Sequence, residues 1–148
     1  MISNSKISPT LPVVDLNRAR KFYHETLGLK ITMEDPQGVM LEGGDGTMLY
    51  LYKRGPTKAD HTVVSFGVED VDSEVRELRG KGIKFEEYDI PEMGLKTVNG
   101  IATMPGKEYE TKGAWFKDTE GNILSVVQMV KAGSGARPAE RERVGGRR

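Results

Sequence analysis

The chain contains no cysteine. Disulfides, thiol nucleophiles and thiolate metal ligands are therefore excluded. Histidine is nearly absent too, with only His24 and His61. Aromatic residues make up 7% of the chain and include one tryptophan, Trp115. No apolar run approaches the roughly 20 residues that a membrane helix needs. The opening residues, MISNSKISPT, lack the apolar core of a secretory signal. A cytoplasmic protein without a membrane segment is the expectation. The whole chain has a formal net charge of +0, but the charge is unevenly spread. Residues 131–148 hold six Lys or Arg and two Glu, or +4, so residues 1–130 carry about −4. That tail is rich in Gly, Arg and Glu and has one large apolar residue, Val144. It buries too little to offset chain entropy and is expected to be disordered. Four net charges without aromatics make a weak nucleic-acid patch, so no nucleic-acid partner is expected.

What is present is a repeated pattern. TLPVVDLNRARKFYHETLGLKI occupies residues 10–31, and TVVSFGVEDVDSEVRELRGKGIKF occupies residues 62–85. Each starts as a β-branched apolar run, which suits a strand. Each reaches an aspartate, Asp15 or Asp70, suited to capping a helix. Apolar residues then recur at helical spacing up to Gly28 or Gly82, where a left-handed C-cap fits. Turn signals after the first helix divide residues 29–34, 38–42 and 47–53 into short strands. After the second helix, strands are expected at 83–89, about 98–103, 113–117 and 123–129. Residues 91–113, with glycines and prolines among single apolar residues, read equally as a lid over a cleft or a long connection. The fold class is therefore α+β: two tandem βαβββ modules, about 6–54 and 61–130, within one domain of residues 1–130.

One helix can cover one face of each sheet. Strand alternation tells what the other face carries. In TMLYLYK, residues 47–53, Leu49 and Leu51 go under the helix, and Met48, Tyr50 and Tyr52 go opposite. In GAWFKDTEGNILSVVQ, residues 113–128, Ala114, Phe116, Leu124 and Val126 go under the helix. Trp115 and Ser125 go opposite, as do His61, Val63 and Ser65 of the preceding strand. Such a face is aromatic and sparsely polar, which suits a ligand cleft or a subunit interface.

Three stretches, VVDLNRARKFYHETLGLK (13–30), VEDVDSEVRELRGKGIKF (68–85) and FKDTEGNIL (116–124), resemble the vicinal oxygen chelate superfamily. That superfamily includes glyoxalase I, bleomycin resistance proteins and extradiol dioxygenases. The resemblance implies paired modules curling into a partly open barrel around a central cleft, usually in a homodimer. It also implies four cleft positions where metal-using members place His or Glu. Carried over singly, these positions hold Ser8, Tyr50, Val63 and Ser125. A valine cannot ligate, and neutral hydroxyls are poor ligands for Zn, Fe, Ni or Mn. No metal and no other cofactor is therefore expected. Of the two histidines, His24 reads as a surface residue. His61, two residues before Val63, could reach the slot with Glu42, Glu108 or Glu110 as partners.

The expected function is metal-independent binding of an aromatic small molecule. Trp115, Tyr50 and Tyr52 would stack on it, and Ser8, Ser65, Ser125 and His61 would orient it. Met48 and Val63 share the same faces. The alternative is a lyase or dioxygenase-type enzyme with a non-standard site, in which His61 is the candidate general base and Glu108 a second.

Overall fold

In the computed structural model, which describes residues 1–132, Asp15 and Asp70 each open a helix. The Asp15 carboxylate accepts the Arg18 N–H at 3.0 Å, and the Asp70 carboxylate accepts the Ser73 N–H at 3.2 Å. Each thereby satisfies an N–H that a helix start leaves without an internal partner. Helix α1 spans Leu16–Lys21 and widens into a π turn over Phe22–Thr26. Helix α2 spans Val71–Gly80. Gly28 (φ +80°) and Gly82 (φ +89°) follow them in the left-handed region, where a side chain would be strained.

Module one forms a sheet of four strands: β1 (Thr10–Val13), β2 (Lys30–Asp35), β3 (Gly38–Glu42) and β4 (Met48–Lys53), in the order β1-β4-β3-β2. Module two forms β5 (Thr62–Gly67), β6 (Asp89–Ile90), β7 (Leu95–Val98), β8 (Ile101–Met104), β9 (Tyr109–Lys117) and β10 (Ile123–Lys131), in the order β5-β10-β9-β8-β7-β6. In each sheet the first strand lies parallel to the last, β1 on β4 and β5 on β10. The remaining pairs are antiparallel. α1 packs on β3 and β4, and α2 packs on β9 and β10. The fold is α+β, with two separate sheets that do not close into a barrel. Among the described residues no helix is long and apolar enough to cross a membrane.

Module two departs from the four strands expected of it. Residues 83–88 do not form the expected strand: their backbone meets β9 at a Phe85–Phe116 bridge and through the Glu86 N–H, which donates to the Trp115 carbonyl at 2.7 Å. The expected single strand near 98–103 is instead the hairpin β7–β8. Its turn is Asn99-Gly100, with φ of 52° and 79°, the positive-φ pair that tight hairpins favour. Residues 91–113 therefore extend the sheet edge and are not a free lid over a cleft. Thr97 ties this hairpin down: its hydroxyl donates to Glu87 at 2.5 Å and accepts the Tyr88 N–H at 2.7 Å. β10 also runs one residue into the expected tail, to Lys131. The rest of that tail, residues 133–148, lies outside the described residues.

Gly100 is required twice over. Its φ is positive, and a Cβ there would stand 2.9 Å from the Phe85 Cβ. Gly100→Ala is expected to lower unfolding free energy by about 1–3 kcal/mol. Gly80→Ala, where a Cβ would meet open space, should be neutral or stabilising by up to about 1 kcal/mol. Urea midpoints of the two variants check the contrast.

One apolar core serves both modules. It includes Leu11, Leu41 and Leu51 of module one and Val75, Phe116 and Leu124 of module two. The seam between them is polar at one point. The fully buried Tyr23 donates its hydroxyl to Asp118 at 2.6 Å. Nearby, Glu120 accepts the Val14 and Asp15 N–H groups at 3.0 and 3.1 Å. The turn after β9 thus grips the junction of β1 and α1. Across the seam, the Lys81 ammonium also donates to the Thr26 carbonyl at 3.3 Å.

Burial first, and then the Asp118 carboxylate, push the Tyr23 phenol well above its ordinary value of 10.0. A raised folded value means the unfolded chain loses this proton first as pH rises. The stabilisation is whole below about pH 10 and declines above it, by about 1.4 kcal/mol per pH unit. Urea unfolding between about pH 9 and 11.5 should show this slope in the wild type and a shallower one in Tyr23→Phe.

Candidate functional site

The sheet faces turned away from the helices carry the residues singled out by alternation. On sheet one, Met48, Tyr50 and Tyr52 are half-buried on β4. Ser8 lies just ahead of β1, and its hydroxyl donates to the Met48 carbonyl at 3.2 Å. The Tyr50 ring lies flat across β3 at Gly38. A Cβ on Gly38 would come within 2.1 Å of the Tyr50 hydroxyl oxygen, so only glycine leaves room for the ring there.

Sheet two repeats the device. Ser125 on β10 sits between Ser65 of β5 and Trp115 of β9 in the ladder. The Ser65 and Ser125 hydroxyl oxygens are 2.7 Å apart. Ser125 is only 1% exposed, so a hydroxyl expected in an open cleft is paired and covered. Trp115 is half-buried, and its ring comes within 3.3 Å of where a Gly113 Cβ would be. Tyr88 meets the Trp115 ring edge-on at 5.7 Å, with the planes at 78°. Burial, then the nearby Glu86 charge, raises the Tyr88 phenol above its ordinary value.

Two other residues stand apart. The β5–β10 ladder pairs Thr62 with Ile123 and then Val64 with Leu124, so a bulge falls at Val63. The extra residue breaks the two-residue period, and Val63 packs against the core cluster. His61 precedes β5, with its side chain 72% exposed and its Nδ1 3.5 Å from Asp60. His24 is exposed, with Nδ1 2.7 Å from the Leu29 carbonyl oxygen. Among the described residues no three His, Asp or Glu side chains converge to hold a metal ion.

The two modules meet at a groove of about 570 Å³. That volume suits a small molecule. Met48 of module one and Ser65 of module two both line it, with the apolar Ile7, Leu29 and Phe66 and with Asp45 from the 43–46 loop. Sequence reasoning found Met48 and Ser65 but missed Ile7, Leu29 and Asp45. The Gly-Gly-Asp-Gly run marked a turn, and nothing in one sequence says which turn of module one will reach β5. The single chain does not bring all the aromatic residues together: neither Tyr50 nor Tyr52 makes a ring contact with Trp115. Apolar walls and a few hydroxyls can hold and orient a ligand. Ser65 and Ser125 bond to each other, and among the described residues the side chain of His61 bonds only to Asp60.

The profile of the Glyoxalase/Bleomycin resistance protein/Dioxygenase superfamily matches residues 7–126. No curated protein sequence matches the chain. Solved structures share the fold. A superfamily member from Sphaerobacter thermophilus DSM 20745 aligns with a TM-score of 0.64 and 22% identity, covering 86% of this chain and 99% of that one. TnmS3, an antibiotic binding protein from Streptomyces sp. CB03234, gives 0.62 and 20%, covering 88% and 99%. A lactoylglutathione lyase from Agrobacterium tumefaciens gives 0.59 and 20%, covering 84% and 93%.

Proposed function

The chain belongs to the Glyoxalase/Bleomycin resistance protein/Dioxygenase superfamily, and from that premise we propose that it binds and sequesters a small aromatic molecule without a metal ion. The supporting observation is the chemistry of the residues at the four positions to which the resemblance carries over the ligands of metal-using members. Ser8 donates to a backbone carbonyl, Tyr50 lies against Gly38, Val63 is hydrocarbon, and Ser125 is buried against Ser65. These residues do not fit a divalent transition metal, which takes imidazole, carboxylate or thiolate. Aromatic rings suit recognition by stacking, and Ser65, which lines the groove, is the hydroxyl placed to orient a ligand. The fold is shared with a protein that binds an antibiotic and with a lyase, and the exposed, singly bonded His61 gives the enzymatic alternative no support.

The half-buried faces bearing Tyr50, Tyr52 and Trp115 further suggest that a second copy of the chain completes the cleft, in a cytoplasmic homodimer. Trp115, the single tryptophan, reports on this directly. Its fluorescence should shift or quench saturably with at least one member of a panel of aromatic antibiotics and metabolites. A flat response across the panel sinks the proposal.

A further inference from the structure

We propose that the groove between the modules selects a cationic ligand, an amine carried on an apolar body, through the Asp45 carboxylate. This rests on the binding reading for a small-molecule ligand and places that ligand in the groove, whose lining holds Met48 and Ser65 and none of Tyr50, Tyr52 or Trp115. Among the described residues, Asp45 is the only charged one lining the groove. The walls around it are hydrocarbon from Ile7, Leu29, Met48 and Phe66, relieved by the hydroxyls of Ser65 and Thr47. Among the described residues no Lys, Arg or His pairs with Asp45. Asp45 is exposed, so it stands as a solvated carboxylate without a cation partner at the edge of an apolar surface.

The loop that presents Asp45 is built, not slack. The Gly43 N–H donates to the Thr47 carbonyl at 2.9 Å, and the Thr47 N–H donates to the Gly44 carbonyl at 3.1 Å. The Thr47 hydroxyl donates to the Gly44 carbonyl as well, at 2.7 Å. Inside this closed loop Asp45 itself takes the left-handed conformation, with φ 55° and ψ 32°. A short polar side chain tolerates that region better than most.

A lone carboxylate at a groove mouth should favour an ammonium over its neutral isostere by roughly three- to tenfold at low salt. The test is calorimetry on the full chain with three probes of one shape: 1-naphthylmethylamine, 1-naphthalenemethanol and 1-naphthoate. The expected order of affinity is ammonium, alcohol, carboxylate, with the preference shrinking at about 0.5 M salt as charges are screened. Asp45→Asn should bring the ammonium down to the alcohol and leave the alcohol unchanged. Asparagine accepts the same left-handed backbone, and circular dichroism of the variant checks the fold. Equal affinity for all three probes overturns the inference and leaves the binding reading standing. A preference that survives in Asp45→Asn overturns the role of Asp45. Binding of none of the three overturns the inference too, and the Trp115 titration with its wider panel then judges the binding reading separately.

Discussion

Replacing Asp118 with alanine is expected to remove about 3–5 kcal/mol of unfolding free energy. Asp118 is 7% exposed and accepts from four donors. Three belong to its own turn: the Glu120 N–H at 2.8 Å, the Asn122 N–H at 2.8 Å and the Asn122 side-chain amide at 2.9 Å. The fourth is the Tyr23 hydroxyl from module one at 2.6 Å. Alanine leaves all four donors in a site that water enters poorly, and that loss exceeds the net worth of the bonds themselves. Tyr23→Phe keeps the ring and removes one charge-assisted bond, so about 1.5–3 kcal/mol is expected. Because the two side chains share one bond, their double variant should cost less than the sum. Urea unfolding of the four proteins measures this. A loss below about 1 kcal/mol for Asp118→Ala would show that the modules are not joined through this turn.

Trp115→Ala is expected to weaken binding of an aromatic ligand by tenfold or more. The indole contributes apolar area and a ring face, and an aromatic pair alone adds about 0.5–1.5 kcal/mol beyond burial. Area lost with the indole adds to this at about 25 cal/mol per Å². Trp115→Phe should recover part of the affinity, because it keeps a ring against Tyr88, now 5.7 Å away. Calorimetry is the measurement, since the variants lack the fluorophore. Unchanged affinity in Trp115→Ala would remove the tryptophan from the site and shift attention to Met48 and Ser65.

Much of the fold was legible because it follows local rules. The Asp15 and Asp70 caps, the left-handed Gly28 and Gly82, and the alternation that buries Leu49 and Leu51 all depend on a few neighbouring residues. Three features escaped for physical reasons. The β7–β8 hairpin has strands of only four residues each, too short for a clear two-residue period beside its glycines. The bulge at Val63 shows only when β5 is laid against β10. The grip of Glu120 on Val14 and Asp15 spans more than a hundred residues, so no window of sequence contains both ends. The candidate site divides the same way. Which residues share a face could be read from β4, β9 and β10 singly, but not from β5, where the bulge at Val63 breaks the alternation. That Ser125 is covered, that Tyr50 lies on Gly38, and that Met48 and Ser65 share a groove depend on how strands and modules meet.

The most direct test concerns the ion. The protein, purified without chelators, is titrated with an aromatic ligand found by tryptophan fluorescence, before and after exhaustive dialysis against EDTA. Metal content is measured alongside. The expected result is an unchanged affinity and a metal content well below one ion per chain. Stoichiometric Zn, Fe, Ni or Mn in the untreated protein, with binding lost on chelation and restored by the same ion, would contradict a recognition site built from hydroxyls and rings.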